Sequence, residues 1–472
     1  VGNLPAARDA FAQVLTHHSA SELTEQWLPP TPGQRATDAL RLARLETELG
    51  DAGAAWRQLE AVGRVARTRR CPQTAIAAAS DRLLEIDAVL GRLDAPASVQ
   101  RKRQSAPERE RLLKEQRTLL RQMRACDDAV STAAALRAFT VDDRLVVLRR
   151  VAQQVHVAHI GPMDTRAVTD ALATLDELVA TRADDATWRV AAEPLAAGLS
   201  PLVDALAQSD GPAVLHGLLQ RVRFAALPQE ERWFADVAPP GIALPGPRRG
   251  LDAQGSTTPL FVVDPLNNLP SGDAGARRYA QLFPAARILR GADATREQVH
   301  KAVATAAFLH IDAHGQTQPG FESLSSLQMA DGPVAAHRLA SSADTLAFAN
   351  LSGCRTALGS VTADTGQWGL AGQLIGAGVP WVIGVRDDLD DTAAAQFNAV
   401  FYEAYLESSD IAAAYHRALR ALRQTQPASV WSALVLLRGS TGQVRAARTP
   451  SVQEPAGSPP QSALQRADIA GL

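Results

Sequence analysis

Two short apolar segments decide the fold, residues 306–315 (AAFLHIDAHG) and residues 345–354 (TLAFANLSGC). Apolar runs of this length, bounded by turn residues, are typical of strands that are buried on both faces of a parallel sheet. Each run ends in a side chain that can do chemistry, His314 in the first and Cys354 in the second. Open parallel sheets place their sites beyond the carboxyl ends of the strands. If the two strands are neighbours, the imidazole and the thiol therefore emerge side by side.

A thiol beside an imidazole is the minimum equipment of a cysteine nucleophile. A free thiol with a pKa of about 8.5 is only a few per cent thiolate at neutral pH, and a nearby imidazolium raises that fraction. His314 would later protonate the leaving amine. The backbone N–H groups of Gly315 and Cys354 are candidates for an oxyanion hole, because a glycine leaves room for close approach. Considered alone, a Cys/His pair is more often a small buried cysteine and a turn histidine.

The surrounding sequence resembles the CHAT family of caspase-like cysteine peptidases. Residues 308–315 (FLHIDAHG) are similar to the family pattern LHxATHG, and residues 346–359 (LAFANLSGCRTALG) are similar to LSACETG. Three further segments resemble family patterns and keep the family order, namely a strand and loop at 263–270, a hairpin at 325–332 and a glycine-containing helix at 366–378. The resemblance implies that His314 and Cys354 form the catalytic dyad of a cysteine endopeptidase.

The resemblance also implies an α/β fold with a caspase-like, mainly parallel sheet flanked by helices. We expect this domain at residues 126–440, with a degenerate amino-terminal half at 126–250 and a catalytic half at 251–440. The alternation of predicted strands and helices is consistent with such a sheet. The histidines of the amino-terminal half have no cysteine at a matching strand end, so we interpret them as structural; they are His156, His159 and His216.

Several departures from the family pattern bear on the substrate pocket. Arg355 follows the cysteine where the family usually has an acidic residue, and it could favour the thiolate or face a substrate carboxylate. Arg386 stands where the family often has tryptophan, at the start of an acidic loop. The candidate pocket residues are Asp312, Arg355, Arg386, Asp387 and Asp388.

The acidic loop at 387–391 allows three interpretations. One is a binding site for a divalent ion. The spacing of the acidic residues does not match a calcium-binding loop, however, and the central glycine of such a loop is missing. It could instead form a pocket for a basic substrate residue. The simplest interpretation is a solvated turn in which Asp391 caps or begins a helix at Thr392. We favour the turn, and we regard Asp312 as the better candidate for an acidic pocket.

Residues 1–125 are expected to be α-helical. Residues 2–11 (GNLPAARDAF) and 50–59 (GDAGAAWRQL) resemble the second helix of a tetratricopeptide (TPR) repeat. Their spacing is longer than the ~34 residues of a regular repeat, so a partial array and an unrelated helical bundle both remain open. Residues 107–126 indicate an amphipathic linking helix. The proline-containing residues 441–472 indicate a disordered tail.

Length and composition bear on the number of domains, the classes of partner and the cellular compartment. The 472 residues exceed one ordinary domain, and a formal net charge of −2 argues against direct nucleic-acid binding. The chain has three scattered cysteines, which do not make a disulfide framework and fit a reducing cytoplasm. No run is long and apolar enough to span a bilayer, so we expect no membrane association. The excess of arginine over lysine indicates a GC-rich bacterial genome, and the start at Val1 rather than methionine indicates a fragment.

Two hypotheses for function remain after other classes lose support. GxSxG, GxxxxGK[ST], HExxH and CxxC motifs are all missing, so we expect neither a metal nor a cofactor. The first hypothesis is an endopeptidase that cleaves a protein substrate and is regulated by a protein partner on the N-terminal helical region. The resemblance implies a setting such as bacterial antiviral defence, and we expect low basal turnover. The second is a non-catalytic adaptor that keeps an inactive caspase-like platform.

Overall fold

The structure is a computed structural model that describes most of the chain from residue 134 onwards. It describes residues 4–20, 32–62, 134–209, 211–237, 242–243, 258–317, 325–357 and 369–439, together with scattered positions between 82 and 119. The disordered tail predicted at 441–472 and most of the linking helix predicted at 107–126 lie outside the described residues.

Three helices come first, α1 (Leu4–Ala20), α2 (Pro32–Glu48) and α3 (Ala52–Val62). The helical character predicted for these segments is confirmed, whereas a TPR-like repeat is not shown. α2 packs against both of the other helices. Trp56 of α3 is buried in an apolar cluster that also contains Phe139 and Val146 of the sheet described next. The helical region is therefore docked on one face of that sheet.

The described residues of the amino-terminal half of the sheet domain form seven strands and four α-helices. Its strands are β1 (Leu136–Val141), β2 (Arg144–Val151), β3 (Gln154–Pro162), β4 (Ala213–Leu215), β5 (Pro228–Gln229), β6 (Arg232–Trp233) and β7 (Ile242–Ala243). Its helices are α4 (Thr165–Thr181), α5 (Asp185–Gly198), α6 (Ser200–Ala207) and α7 (Phe234–Val237).

Residues 185–207 form two helices, α5 and α6, rather than one. Pro201 lies in the first turn of α6, where proline is tolerated because its missing N–H would have no helical partner. The axes of the two helices differ by 84°. Across the described residues, no single helix is long and apolar enough to cross a membrane, and the bent pair α5–α6 meets that criterion by length and composition.

In the carboxyl-terminal half, the residues that the structure describes form nine strands and seven α-helices. Its strands are β8 (Leu260–Val263), β9 (Arg287–Arg290), β10 (Leu309–Asp312), β11 (Gly315–Gln316), β12 (Ser326–Met329), β13 (Gly332–Ala335), β14 (Ala349–Leu351), β15 (Trp381–Val385) and β16 (Leu434–Arg438). Its helices are α8 (Gly272–Leu282), α9 (Arg296–Val303), α10 (Ala336–Ala340), α11 (Gly369–Gly376), α12 (Asp391–Ser408), α13 (Ile411–Leu422) and α14 (Ala428–Trp431).

Eleven strands form one sheet in the order β3-β2-β1-β4-β7-β16-β15-β14-β10-β8-β9. The antiparallel pairs are β1–β2, β2–β3 and β15–β16, and the other neighbouring pairs are parallel. The predicted mainly parallel sheet is therefore confirmed. The short strand β7 pairs with β4 on one side and with β16 on the other, so both halves share one sheet.

Aromatic packing joins α12 to the two decisive segments of the sheet. Phe308, just before β10, stacks on Phe348, just before β14, with ring centroids 4.5 Å apart. Tyr402 of α12 contacts Phe308 at 6.0 Å between centroids, and all three rings are fully buried. Such pairs contribute about 0.5–1.5 kcal/mol each beyond the burial of their area. The core thus fixes α12 against the strands that lead to His314 and Cys354.

Candidate active site

β10 and β14 are adjacent parallel strands, with Leu309 opposite Ala349 and Ile311 opposite Leu351. The pairing continues beyond the strands, because the amide of Ser352 donates to the carbonyl of Ile311 at 2.9 Å. The prediction that the two decisive segments form neighbouring strands is therefore confirmed. His314 and Cys354 both follow at the carboxyl edge of the sheet, where open α/β sheets hold their sites.

The turns that follow the two strands are in close backbone contact. A Cβ atom at Gly315 would overlap the carbonyl oxygen of Cys354. A Cβ atom at Gly353 would lie 2.5 Å from the carbonyl oxygen of Ala313. Both approaches are closer than a side chain permits, so only glycine lets the histidine turn and the cysteine turn pack together.

The imidazole of His314 is held by an amide that sequence analysis did not single out. Its Nε2 lies 2.9 Å from Oδ1 of Asn268. With the amide oxygen facing the ring, Nε2 is the donor of this hydrogen bond, and Nδ1 is left as the basic ring nitrogen. Asn268 lies in the segment at 263–270 that resembles a family pattern, but an asparagine in a loop carries no functional signal by itself.

Asp264 shapes the loop that presents Asn268. Its buried carboxylate accepts hydrogen bonds from the amides of Asn268 at 2.8 Å and Leu269 at 3.1 Å. Its backbone has a φ of 46°, in the left-handed region that costs a residue other than glycine roughly 1–2 kcal/mol. The hydrogen bonds to the loop offset that strain. Asp264 therefore holds the loop in place from its first residue, and this positions the side-chain amide of Asn268.

The thiol of Cys354 is half-buried, and its sulfur lies 3.8 Å from the carbonyl oxygen of Leu389. Burial raises the pKa of the thiol above its ordinary value; hydrogen bonding with the Leu389 backbone opposes this rise, and Asp388 adds to it. Arg355 lowers the thiol pKa, which is one of the two roles considered for it, but burial outweighs this effect. In this state the thiol is more protonated at neutral pH than a free cysteine.

The carboxylate of Asp312, the last residue of β10, is mostly buried among polar side chains. The hydroxyl of Tyr279 donates to its Oδ2 at 3.1 Å, and the amide of Asn398 donates to its Oδ1 at 3.4 Å. Nε2 of the buried His310 lies 2.8 Å from Oδ2. A phenol, an amide and an imidazole carry no permanent positive charge. Asn398 also donates to the hydroxyl of Ser352 at 2.9 Å, which links this cluster to the end of β14.

Arg355 and Asp388 form an ion pair beside the cysteine. The guanidinium Nε lies 2.9 Å from Oδ1 of the carboxylate, and Nη2 donates to Oδ2 at 3.0 Å. Both side chains are largely exposed, so solvent screens the pair and its contribution to stability is about 0–1 kcal/mol. Both side chains are accessible at the rim of the candidate site.

Arg386 and Asp387, the other two predicted pocket residues, face the amino-terminal half. Arg386 is buried and donates to the carbonyls of Arg221 and Val222 at 3.3 and 3.2 Å, and burial lowers its pKa to about 10. Asp387 accepts a hydrogen bond from Arg223 at 2.5 Å. These contacts belong to the junction between the halves, so we leave both residues out of the substrate pocket.

We name residues 386–391 the bridging loop, because it joins β15 to α12 and contacts both halves. The interpretation of residues 387–391 as a solvated turn is wrong for Asp387, which is held by Arg223 inside the domain. Asp390, rather than Asp391, is the N-cap of α12, and its carboxylate accepts from the amide of Ala393. Asp391 begins the helix and accepts from the amide of Ser271 at 2.5 Å.

The histidines interpreted as structural lie far from this edge in the strand order. His216 follows β4 and is buried; burial, helped by Arg137, lowers its pKa to about 3, so its ring is neutral. His156 and His159 lie on β3, the outermost strand of the amino-terminal half. In the part of the chain that the structure describes, no group of three or more His, Cys, Asp or Glu residues is arranged to hold a metal ion.

Comparison with known proteins identifies the family. The CHAT domain model matches residues 185–439, which is more than half of the 472 residues. No curated protein matches the chain. Among solved structures, the chain is similar to one in the crystal structure of the Saccharomyces cerevisiae separase–securin complex, at 9% sequence identity and a TM-score of 0.48; the match covers 94% of this chain and 38% of that chain. The chain belongs to the CHAT-domain family.

Proposed function

We propose that this chain is a cysteine endopeptidase that cleaves a protein partner, with Cys354 as the nucleophile and His314 as the acid–base residue. One observation carries the proposal. The turns that contain these two residues follow adjacent parallel strands and pack against each other through Gly315 and Gly353. A nucleophile and a base within reach of one carbonyl are what covalent acyl transfer requires.

The proposed reaction uses the basic Nδ1 of His314 to take the proton from the Cys354 thiol. The sulfur then attacks the peptide carbonyl carbon, and the carbonyl electrons move to the oxygen. Backbone N–H groups of Gly315 and Cys354 stabilise that oxyanion. The imidazolium next protonates the leaving amine as the C–N bond breaks, which leaves a thioester on the sulfur. Water, deprotonated by the imidazole, hydrolyses the thioester and restores the thiol.

The pocket proposed for the substrate residue before the cut is acidic. Asp312 ends the strand that leads to His314, and its polar neighbours among the described residues include Tyr279, Asn398 and His310. A carboxylate at this position suits an arginine or lysine side chain. Arg355 and Asp388 lie at the rim, where they are available to contact substrate residues further from the cut.

A cleavage profile of a whole proteome, comparing wild type with Cys354→Ala, tests the reaction and the pocket together. We expect new amino termini with wild type alone and an excess of arginine or lysine before them. Matching profiles would refute the endopeptidase. Cuts that depend on Cys354 but follow residues of other kinds would keep the reaction and reject the acidic pocket.

The alternative is a non-catalytic adaptor that uses its helical region to bind a partner. Thiol labelling separates the two functions, because a peptidase nucleophile lies in a shaped site. An electrophilic peptide probe ending in arginine should modify Cys354 and spare Cys71 and Cys126. Equal labelling of all three cysteines, or none at Cys354 in folded protein, favours the adaptor.

Regulation by a partner belongs to the proposal as well. The half-buried thiol and its raised pKa support a resting state with low turnover. A protein partner that binds the N-terminal helices would then order the site. The proposed setting is the bacterial cytoplasm, and the proposed role is defence. Titration of a candidate partner against probe labelling of Cys354 tests this. Labelling that does not change with any partner that binds α1–α3 would contradict it.

A further inference from the structure

One side of the bridging loop contacts the turn that contains the candidate nucleophile, Cys354. The amide of Arg355 donates to the carbonyl of Asp387 at 3.0 Å, and the guanidinium of Arg355 pairs with Asp388. The sulfur of Cys354 lies 3.8 Å from the carbonyl oxygen of Leu389. Three consecutive residues of the loop therefore contact the turn that contains Cys354 and Arg355.

The other side of the loop is tied to the amino-terminal half. Arg223, in the segment after β4, donates from Nη1 to Oδ2 of Asp387 at 2.5 Å and from Nη2 to Oδ1 of Asp176 in α4 at 3.2 Å. The Arg223 side chain is only 6% exposed, against 33% for Arg221, which pairs with the same Asp176. At the far end of the loop, Arg182 donates to Asp390 at 3.1 Å.

The Arg223–Asp387 contact is the most enclosed of these ties. A pair of opposite charges that is largely removed from water is screened little, so it holds its partners in a defined geometry. Asp387 is also the residue whose carbonyl receives the Arg355 amide. A single loop residue thus connects a side chain of the amino-terminal half to the backbone next to the nucleophile.

We propose that Arg223 is a positioning residue: through Asp387 it holds the bridging loop against the turn that carries Cys354. The half of the domain that lacks a dyad therefore sets the geometry of the thiol in the other half. The consequence for peptide cleavage rests on the proposed function, whereas the consequence for the environment of the thiol does not.

Release of the loop should raise the alkylation rate of Cys354 and lower the rate of peptide cleavage. The sulfur loses the neighbouring Leu389 backbone and becomes more accessible, so a small reagent such as iodoacetamide reacts with it faster. Cleavage becomes slower, because the thiol no longer has one fixed position relative to the peptide carbonyl. General loss of folding would also expose the thiol, so thermal unfolding is measured on every variant.

The experiment uses the full chain with Cys71 and Cys126 changed to serine, so that Cys354 is the remaining thiol. The test variants are Arg223→Gln, Arg223→Lys and Asp387→Asn, and Arg221→Gln is the matched control. We expect a several-fold faster reaction of Cys354 with iodoacetamide in Arg223→Gln and Asp387→Asn, and cleavage of an arginine-containing peptide library slower by about tenfold or more. Arg223→Lys keeps the positive charge, so its alkylation and cleavage rates should lie between those of Arg223→Gln and the parent. Arg221→Gln should match the parent in both rates.

Each result decides the proposal. Alkylation and cleavage rates of Asp387→Asn and Arg223→Gln that equal those of Arg221→Gln would overturn it. If Arg223→Gln does not fold, Asp387→Asn gives the decision, since Arg223 then keeps its contact with Asp176. If the parent cleaves no peptide, the proposed function fails, and the alkylation rates still test the role of Arg223.

Discussion

Nε2 of His314 and Oδ1 of Asn268 are 2.9 Å apart, and this single contact determines which nitrogen of the imidazole is basic. A ring without that acceptor is free to rotate and to exchange tautomers. The amide thus prepares the histidine for the thiol, in the way that a third group orients the base of other nucleophilic sites.

We predict that Asn268→Ala lowers kcat/KM by about 10- to 100-fold, mostly through kcat, because this side-chain amide contacts the proposed base, His314. The measurement is steady-state cleavage of a peptide found in the cleavage profile. Leu266→Ala is the control, since Leu266 is an exposed residue of the same loop. An unchanged kcat in Asn268→Ala would show that the hydrogen bond does not orient the base.

Gly315→Ala should abolish most activity and also destabilise the protein. The new methyl group would overlap the carbonyl oxygen of Cys354, so one of the two turns must move, and a displacement of about 1 Å can lower a rate by roughly 100-fold. Gly376→Ala is the control, because a Cβ there meets nothing within 4 Å and alanine favours the helix. Chemical denaturation and peptide cleavage measure the two effects. Normal activity of Gly315→Ala would mean that the turns are not packed as described.

The alkylation rate of Cys354 should rise with pH, with a midpoint above that of a free cysteine. The thiolate is the reactive form, and burial raises the pKa of this thiol. Asp388→Asn removes a contribution that raises the pKa, so it should shift the midpoint down, whereas Arg355→Gln should shift it up. Iodoacetamide rates over a pH series measure all three midpoints. Shifts of the same sign in both variants would contradict the assigned electrostatics.

Asp312→Asn should reduce cleavage after arginine or lysine by about tenfold or more, with a smaller effect after an uncharged residue. The substitution keeps the shape of the side chain, but it removes the charge that the proposed pocket offers and replaces one of the two accepting oxygens by a donating NH2 group. Competition between two peptides that differ only at that residue measures the ratio. An equal loss on both peptides would assign Asp312 to structure rather than to specificity.

Asp236→Asn should lower the free energy of unfolding at neutral pH by about 1 kcal/mol. Asp236 of α7 accepts two hydrogen bonds from Arg423, each 2.7 Å long, and this pairing lowers the pKa of the carboxyl. Because the folded pKa lies below the unfolded value, the stabilisation is present above the unfolded value and is lost as the pH falls through the folded one. Glu407→Gln breaks an exposed pair with Arg417 and should change stability little. Urea unfolding at neutral and acidic pH compares the two.

The strands that carry the site were predictable because their chemistry is local. The apolar segments 306–315 and 345–354 contain β10 and β14, since a doubly buried strand is a continuous apolar segment. β1 was not predicted, because Leu136–Val141 includes the buried Arg137 and lies close to the boundary expected at residues 125 and 126.

The side chains that position the site were not predictable in the same way. Asn268 is 46 residues from His314, and Arg223 is 164 residues from Asp387. Neither asparagine nor arginine carries a local pattern that reveals a partner at such a distance. The acidic loop shows the same limit, because its composition indicated solvent or substrate, while Asp387 and the preceding Arg386 are held by the other half of the domain.

The place of β16 between β15 and β7 has a consequence for self-association. A strand at the border of a sheet offers unpaired amides and carbonyls, and another molecule can dock there by extending the ladder. Here that border is occupied by β7, so the catalytic half meets its own chain where it would otherwise meet a second copy. The outermost strands of the described sheet are β3 and β9, and β9 begins and ends with arginine. Assembly through strand addition would thus start at β3 or β9, each more than one strand away from β14, which leads to Cys354. It would leave the geometry of the candidate site, at the carboxyl edge of the sheet, unchanged.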